Sequence, residues 1–163
     1  YGYYLIHQAT VNFYDLFVKL GLLLPFFIFS FDPGQISASR IILTALLLIS
    51  SYFTTFNLYY CFSIMSFWFQ QVDSLRMTML FIGRYLSGIL IPFYLFPETV
   101  QKALWWTPFP HYGYTPISIV TNKISLESGL AGLGISLFWG ILFFIFSQLI
   151  WNKATHAYES TGI

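Results

Sequence analysis

The sequence predicts an all-α integral membrane protein, and three observations predict it. The 163 residues are 57% hydrophobic and 8% charged, with a mean hydropathy of +0.70. Soluble domains carry about 25% charged residues, so this chain has too few charges to cover a water-facing surface. The apolar residues gather into four long runs, each near the length that crosses a bilayer. Between the third and fourth runs, the stretch GRYLSGILIPFYLFPETVQKALWWTPFPHYGYTP alternates apolar residues with prolines and aromatics. That punctuation predicts two short re-entrant or interfacial helices before the last span.

Residues 1–12 are aromatic and polar, with His7, Gln8 and Asn12, and suit the headgroup layer, where a tyrosine ring is apolar and its hydroxyl wet. The chain opens on Tyr1 without a charged leader, and an N-terminal portion is expected to be missing from it. The first span is expected over 13–31, about the minimum length for a 30 Å hydrocarbon core. Lys19 can snorkel, Pro25 should kink the helix, and Asp32-Pro33-Gly34 makes the exit turn.

No charged residue occurs from Ile41 to Phe69, which sets the second span at 41–69. That is about 40 Å of helix, so it must tilt or project. Ser50, Thr54, Asn57 and Cys61 follow steps of four, three and four and share one face. That face serves interhelical hydrogen bonds or lines a substrate path. The third span is expected over 77–96, after a short polar turn that makes it an antiparallel neighbour. It carries Arg84, read as an interfacial anchor or as part of a path. Gly83 and Ser87 form a small-residue pair that admits a close neighbour.

Pro92 and Pro97 break this run, and residues 98–124 form the two short helices. Pro97 suits a first helical position and Glu98 the positive end of the helix dipole. Trp105 and Trp106 suit the membrane interface. Pro108 and Pro110 interrupt the segment, and Thr115 can cap a second short helix begun by Pro116. The last span is expected over 130–151. Ser128, Gly132, Ser136 and Gly140 repeat every four residues, a stripe that favours a close helix contact. Four spans put both ends on one side, and the lysine and arginine count only weakly favours the cytoplasm.

Residues Ser87-Gly88, Ile91-Pro92, Phe96-Pro97, Pro108-Phe109-Pro110, Tyr114 and Pro116, followed by a final span and a polar tail, resemble the second half of a bacterial ABC exporter permease. More narrowly, the pattern is similar to six-span permeases that pair with a second permease and an ATPase. The resemblance implies the type 2 ABC exporter fold, with spans three to six present here. It implies that residues 1–12, with Tyr3, Tyr4, Leu5, Ile6, His7 and Gln8, form the cytoplasmic segment that couples to the ATPase. It places the short helices of 98–124 outside the cell and implies a bacterial inner-membrane location. It makes Gly88, Pro92, Pro97, Pro108, Pro110 and Pro116 the hinge and re-entrant positions.

The leading functional reading is the membrane subunit of an ATP-driven exporter for an apolar or amphipathic substrate, a drug or a lipid. No GxxxxGK[ST] phosphate loop occurs in these 163 residues, so ATP and magnesium are expected on a separate ABC ATPase. The expected partners are that ATPase, a second copy or paralogue of the permease, and the lipid bilayer. No catalytic, cofactor or metal residue is expected. Cys61 is the only cysteine, and His7, His111 and His156 lack ligand spacing. A net charge of +1 with no basic face gives no hold on nucleic acid. Path lining falls to Ser50, Thr54, Asn57 and Arg84. A membrane-embedded enzyme would draw on Glu98, His111 and Glu127, which share one predicted loop region but lack an acid–base spacing. A channel would need carboxylates within the membrane, and a structural membrane subunit would need no path at all.

Overall fold

The computed structural model describes residues 37–65, 68 and 72–161. The chain divides after Ser37, and the described helices all belong to the unit Ala38–Ile163. Among the described residues every regular element is helical. Helix α1 spans Ala38–Ile64, 27 residues without a glycine or proline to interrupt it. Its buried positions are Leu43, Leu47, Ser50, Thr54, Asn57, Cys61 and Ile64, with Ser51 beside them. Steps of four and three recur along that series, the 3.5-residue repeat that keeps one seam toward a partner helix.

The partner is the last helix. Numbered in chain order, the helices after α1 are α2 (Val72–Leu86), α3 (Glu98–Trp105), α4 (Tyr114–Val120) and α5 (Leu126–Thr161). Short 3-10 turns lie at Phe93–Leu95 and Phe109–Tyr112. Helix α5 starts where Ser125 caps it, the Ser128 amide donating to the Ser125 hydroxyl at 3.2 Å. Leu43 lies against Gly129, Ser50 bonds Ser136, and Cys61 reaches the Phe143 carbonyl. These pairs advance together along both helices, so α1 and α5 run parallel.

Only α1 and the Leu126–Ala154 part of α5 are long and apolar enough to cross a membrane among the described residues. Burial takes 33% of the apolar window in α1 and 22% in α5. A core helix of a water-soluble protein would be mostly covered. Here Ile41, Ile42, Leu46 and Ile49 of α1, and Phe138, Ile141, Ile145 and Phe146 of α5, face outward. Lipid tails are the natural solvent for such faces.

The expected set of four spans is therefore not established. The first, 13–31, lies outside the described residues. The third differs from expectation: its helix covers Val72–Leu86, 15 residues, instead of 77–96. That is about 22 Å, short of a hydrocarbon core. The helix ends because Gly88 adopts φ +81°, a left-handed conformation that a continuing helix cannot contain. Pro92 was expected to kink this helix, but it instead introduces the 3-10 turn Phe93–Leu95, after the helix has stopped. At the other helices the differences lie at the ends. α1 begins at Ala38 and stops at Ile64, and α5 continues through the polar tail to Thr161.

Candidate functional site

The α1–α5 seam is closed by small side chains and polar bonds. Ser136 is the centre of it. The Ser50 hydroxyl donates to the Ser136 hydroxyl at 2.8 Å. The Thr54 hydroxyl reaches the Ser136 carbonyl at 2.8 Å and the Ser50 carbonyl at 2.9 Å. Asn57 donates from its amide to the Phe53 carbonyl at 2.8 Å, one turn back on its own helix. The polar face read from the sequence is thus a helix-contact face in this structure, buried throughout. On α5, Gly132, Ser136 and Gly140 of the small-residue stripe form the contact, while Gly129 takes the place expected of Ser128. A Cβ on Gly140 would come within 2.8 Å of Phe53 and of the Thr54 hydroxyl.

Residues 98–124 pack along one end of this seam. The Trp139 indole of α5 donates to the Trp106 carbonyl at 2.9 Å, His111 and Thr115 lie on Gly132, and Ile119 lies on Gly129. Contacts therefore step back along α5 from 139 toward its start as the chain advances from Trp106 to Ile119. Helix α3 has no buried residue, whereas α4 buries Thr115, Pro116, Ser118, Ile119 and Val120. Apolar contact of Ile119 with Leu43 and Leu47 completes the core there.

His111 joins four parts of the fold. Its ring is fully buried. Nε2 lies 3.1 Å from the Trp105 carbonyl and Nδ1 lies 2.9 Å from the Thr115 hydroxyl. A carbonyl can only accept, so Nε2 carries the proton, and a neutral ring then accepts from Thr115 at Nδ1. Trp105 also meets the ring edge-on at 5.2 Å. From α1, the Ser51 hydroxyl donates to the His111 carbonyl at 2.6 Å. Gly132 of α5 presses on the ring, since a Cβ there would be 2.9 Å from Nδ1. Burial pulls the His111 pKa below its ordinary value of 6.5, only partly countered by the Trp105 carbonyl. Burial likewise pushes the neighbouring Tyr112 phenol up.

A second fastening lies at the exit of α4. The Arg40 guanidinium donates from one nitrogen to the Ile119 carbonyl at 2.9 Å and the Ile124 carbonyl at 3.1 Å. A cation suits that place, where the last carbonyls of a helix lack partners. Arg40 is assigned no role from the sequence alone. Its position at the head of an uncharged run was the available signal.

The hinge candidates fall in several roles. Gly88 ends α2, Pro92 and Pro97 precede the 3-10 turn and α3, and Pro108 precedes the turn that contains Pro110. Pro116 sits inside α4, which begins at Tyr114 after Gly113 rather than at Pro116. Thr115 does not cap it, because its hydroxyl is engaged by His111. Ser87 and Gly113 bring the break in α2 against the start of α4, the Tyr114 amide donating to the Ser87 carbonyl at 3.0 Å. The close neighbour expected beside Gly83 and Ser87 is therefore the 109–114 turn. Arg84 stands exposed in the last turn of α2, whereas Ser50, Thr54 and Asn57 are buried. Tyr3, Tyr4, Leu5, Ile6, His7 and Gln8 lie outside the described residues. Glu98 pairs with Lys102 at 2.7 Å, His111 is held by Thr115 and Trp105, and Glu127 is exposed at the start of α5. No contact joins the three into a common site among the described residues.

A family model described as ABC-2 family transporter protein matches residues 10–162. No curated relative and no solved structure matches the chain.

Proposed function

The chain belongs to the ABC-2 transporter family, and on that premise we propose that it is the permease subunit of an ATP-driven exporter. Members of this family are membrane transport components that normally work with a separate ATPase. The observation that carries the reading is the family match over residues 10–162. A parallel pair of apolar helices with a short-helix segment packed on one end of its seam supports it.

In this proposal residues 1–12, through Tyr3 to Gln8, dock on the ATPase at the cytoplasmic face of a bacterial inner membrane. Segment 98–124 dips into the opposite face as a re-entrant hairpin. The stepping of its contacts from Trp139 back to Gly129 favours that geometry, since Trp106 then sits about 20 Å along α5 from its start. Two permeases, identical or paralogous, enclose the path. The cargo is apolar or amphipathic, a drug or a lipid, because a chain rich in aromatic residues and nearly free of charge suits such a molecule. ATP and magnesium stay on the partner ATPase. Ser50, Thr54 and Asn57 are spent on helix contacts in this state. They line a path only if α1 and α5 part, and Arg84 is placed to meet the headgroup layer. Nucleotide binding moves such an equilibrium through its different affinity for the two states.

The test is co-expression of the full-length protein with its candidate ATPase, followed by purification in lipid nanodiscs. Co-purification is expected, with ATP turnover altered by alanine at positions 3–8. A permease that associates with no ATPase, or turnover indifferent to those substitutions, would sink the proposal.

A further inference from the structure

We propose that His111 is an acid-releasable clasp, holding α3 to α4 within the segment packed on the α1–α5 seam while its ring is neutral and letting α3 go when Nδ1 takes a proton. The geometry is that of a closed two-point bond. One ring nitrogen donates to the end of α3, at the Trp105 carbonyl, and the other accepts from α4, at the Thr115 hydroxyl. The same residue's carbonyl is tied to α1 by Ser51, and Gly132 of α5 leaves no room beside the ring. The ring thus fastens the two short helices to each other, while the residue's backbone ties this joint to α1 and the ring packs on α5.

Protonation spoils this arrangement in a definite way. The imidazolium donates from both nitrogens, so the Thr115 hydroxyl must turn to accept from Nδ1 and send its own proton elsewhere, and the larger cost is the charge itself. The new charge would be buried, and an unpaired buried charge is costly. Among the described residues no carboxylate stands by to meet it. On α3, Glu98 and Lys102 pair with each other in solvent. On α1, Arg40 is engaged with the Ile119 and Ile124 carbonyls, and Ser51 is neutral. Arg84, on α2, is exposed. From α4 the ring meets Thr115, and from α5 it meets Gly132, with Glu127 exposed at the start of that helix. Its own turn adds the Tyr112 phenol, a weak acid that burial makes weaker. The environment therefore favours the neutral ring from every side, and acid must loosen what the neutral ring holds.

The consequence for transport rests on the exporter reading, but the clasp does not, so the test uses the full-length permease in nanodiscs without an ATPase. Spin labels go on Lys102→Cys in α3 and Lys153→Cys in α5, both exposed, with the other cysteines replaced. Pulsed electron resonance reads the distance between them as pH falls from about 7.5 to about 4.5. In parallel, histidine-selective 15N resonance follows the ring, assigned by its loss in His111→Gln. The expected result is a narrow distance distribution that broadens reversibly in step with His111 protonation. In His111→Gln, whose amide can still donate to Trp105, the distribution should stay narrow throughout. Broadening while the ring is neutral, broadening of the Gln variant in parallel with wild type, or a ring that protonates with no broadening would each overturn the clasp. A ring that stays neutral over the whole range overturns it as well. If the Gln variant is already broad at neutral pH, the wild-type comparison of distance and protonation decides alone.

Discussion

Gly140→Ala, compared with Gly134→Ala on the same helix, isolates the steric demand of the α1–α5 seam. Both changes replace glycine in a helix interior, which in water favours the helix by about 0.8–1.0 kcal/mol. A Cβ on Gly134 meets nothing within 4 Å, whereas one on Gly140 meets Phe53 and the Thr54 hydroxyl at 2.8 Å each. The phenyl ring can swing aside. The hydroxyl cannot do so freely, because it is bonded to two carbonyls at 2.8 and 2.9 Å. Overpacking of this kind costs about 1–3 kcal/mol. The two variants should therefore differ by about 1–3 kcal/mol, roughly 5- to 150-fold in the unfolding constant, with Gly134→Ala the more stable. Reversible SDS unfolding of the full-length protein in bicelles would measure the difference. Adding Thr54→Ala to Gly140→Ala should recover part of the loss, because one of the two collisions is removed. Equal stabilities for the two alanine variants, or strict additivity of Thr54→Ala with Gly140→Ala to within about 0.5 kcal/mol, would refute the packing argument.

Gly88→Ala should cost about 1–2 kcal/mol, the penalty of an L-residue in the left-handed region, while Pro92→Ala should change the same unfolding midpoint far less. Arg40→Ala should lower stability by about 1–2 kcal/mol and speed amide exchange at residues 119–124, since the Ile119 carbonyl of α4 and the Ile124 carbonyl of the following turn lose a charged donor. Trp139→Phe should cost about 0.5–1.5 kcal/mol by removing the donor to the Trp106 carbonyl, read again by SDS unfolding. The folded state depresses the His111 pKa, so the unfolded chain holds more protons at mildly acid pH. Stability from the neutral ring is complete above the ordinary value of 6.5 and is lost as pH falls below it toward the folded value. Unfolding measured across that window should show this loss in wild type and not in His111→Gln.

The two long helices were legible because their signals are periodic. Ser50, Thr54, Asn57 and Cys61 repeat at heptad spacing, and Gly132, Ser136 and Gly140 at every fourth residue, so each series marks a face before its partner is known. The break after α2 was legible only in kind. Proline removes a donor visibly in sequence, so the break was expected at Pro92. The stop falls earlier, at Gly88, because a glycine in an apolar run reads equally well as a packing residue or as a left-handed turn. Thr115 and Pro116 carry a local capping pattern, yet His111, four residues back across the 3-10 turn, engages the hydroxyl instead. That partner was hidden in turn. The His111 ring bonds a carbonyl six residues back and a hydroxyl four residues on, across a 3-10 turn that sets Phe109 beside Gly83. No spacing rule encodes such a pair.

Because α1 and α5 run parallel, the chain between them must return the full length it has travelled. Helix α2 supplies about 22 Å of that return and then stops, so residues 87–97 carry the rest without a continuous helix. Backbone of that kind is stable at membrane depth only where protein covers it. Here the cover is the 109–114 turn, through the Ser87 carbonyl, the stacked rings of Phe93 and Tyr114 at 4.4 Å, and Phe109 on Gly83. The broken helix and the short-helix segment thus depend on each other. Neither can move alone without exposing backbone polar groups, and the seam of α1 and α5 holds through contacts independent of both. Motion in this fold is therefore expected as a joint displacement of 87–124 against a fixed α1–α5 pair. The fastenings that must open for it are the Arg40 bonds to the Ile119 and Ile124 carbonyls, the Ser51 bond to the His111 carbonyl and the Trp139 bond to the Trp106 carbonyl.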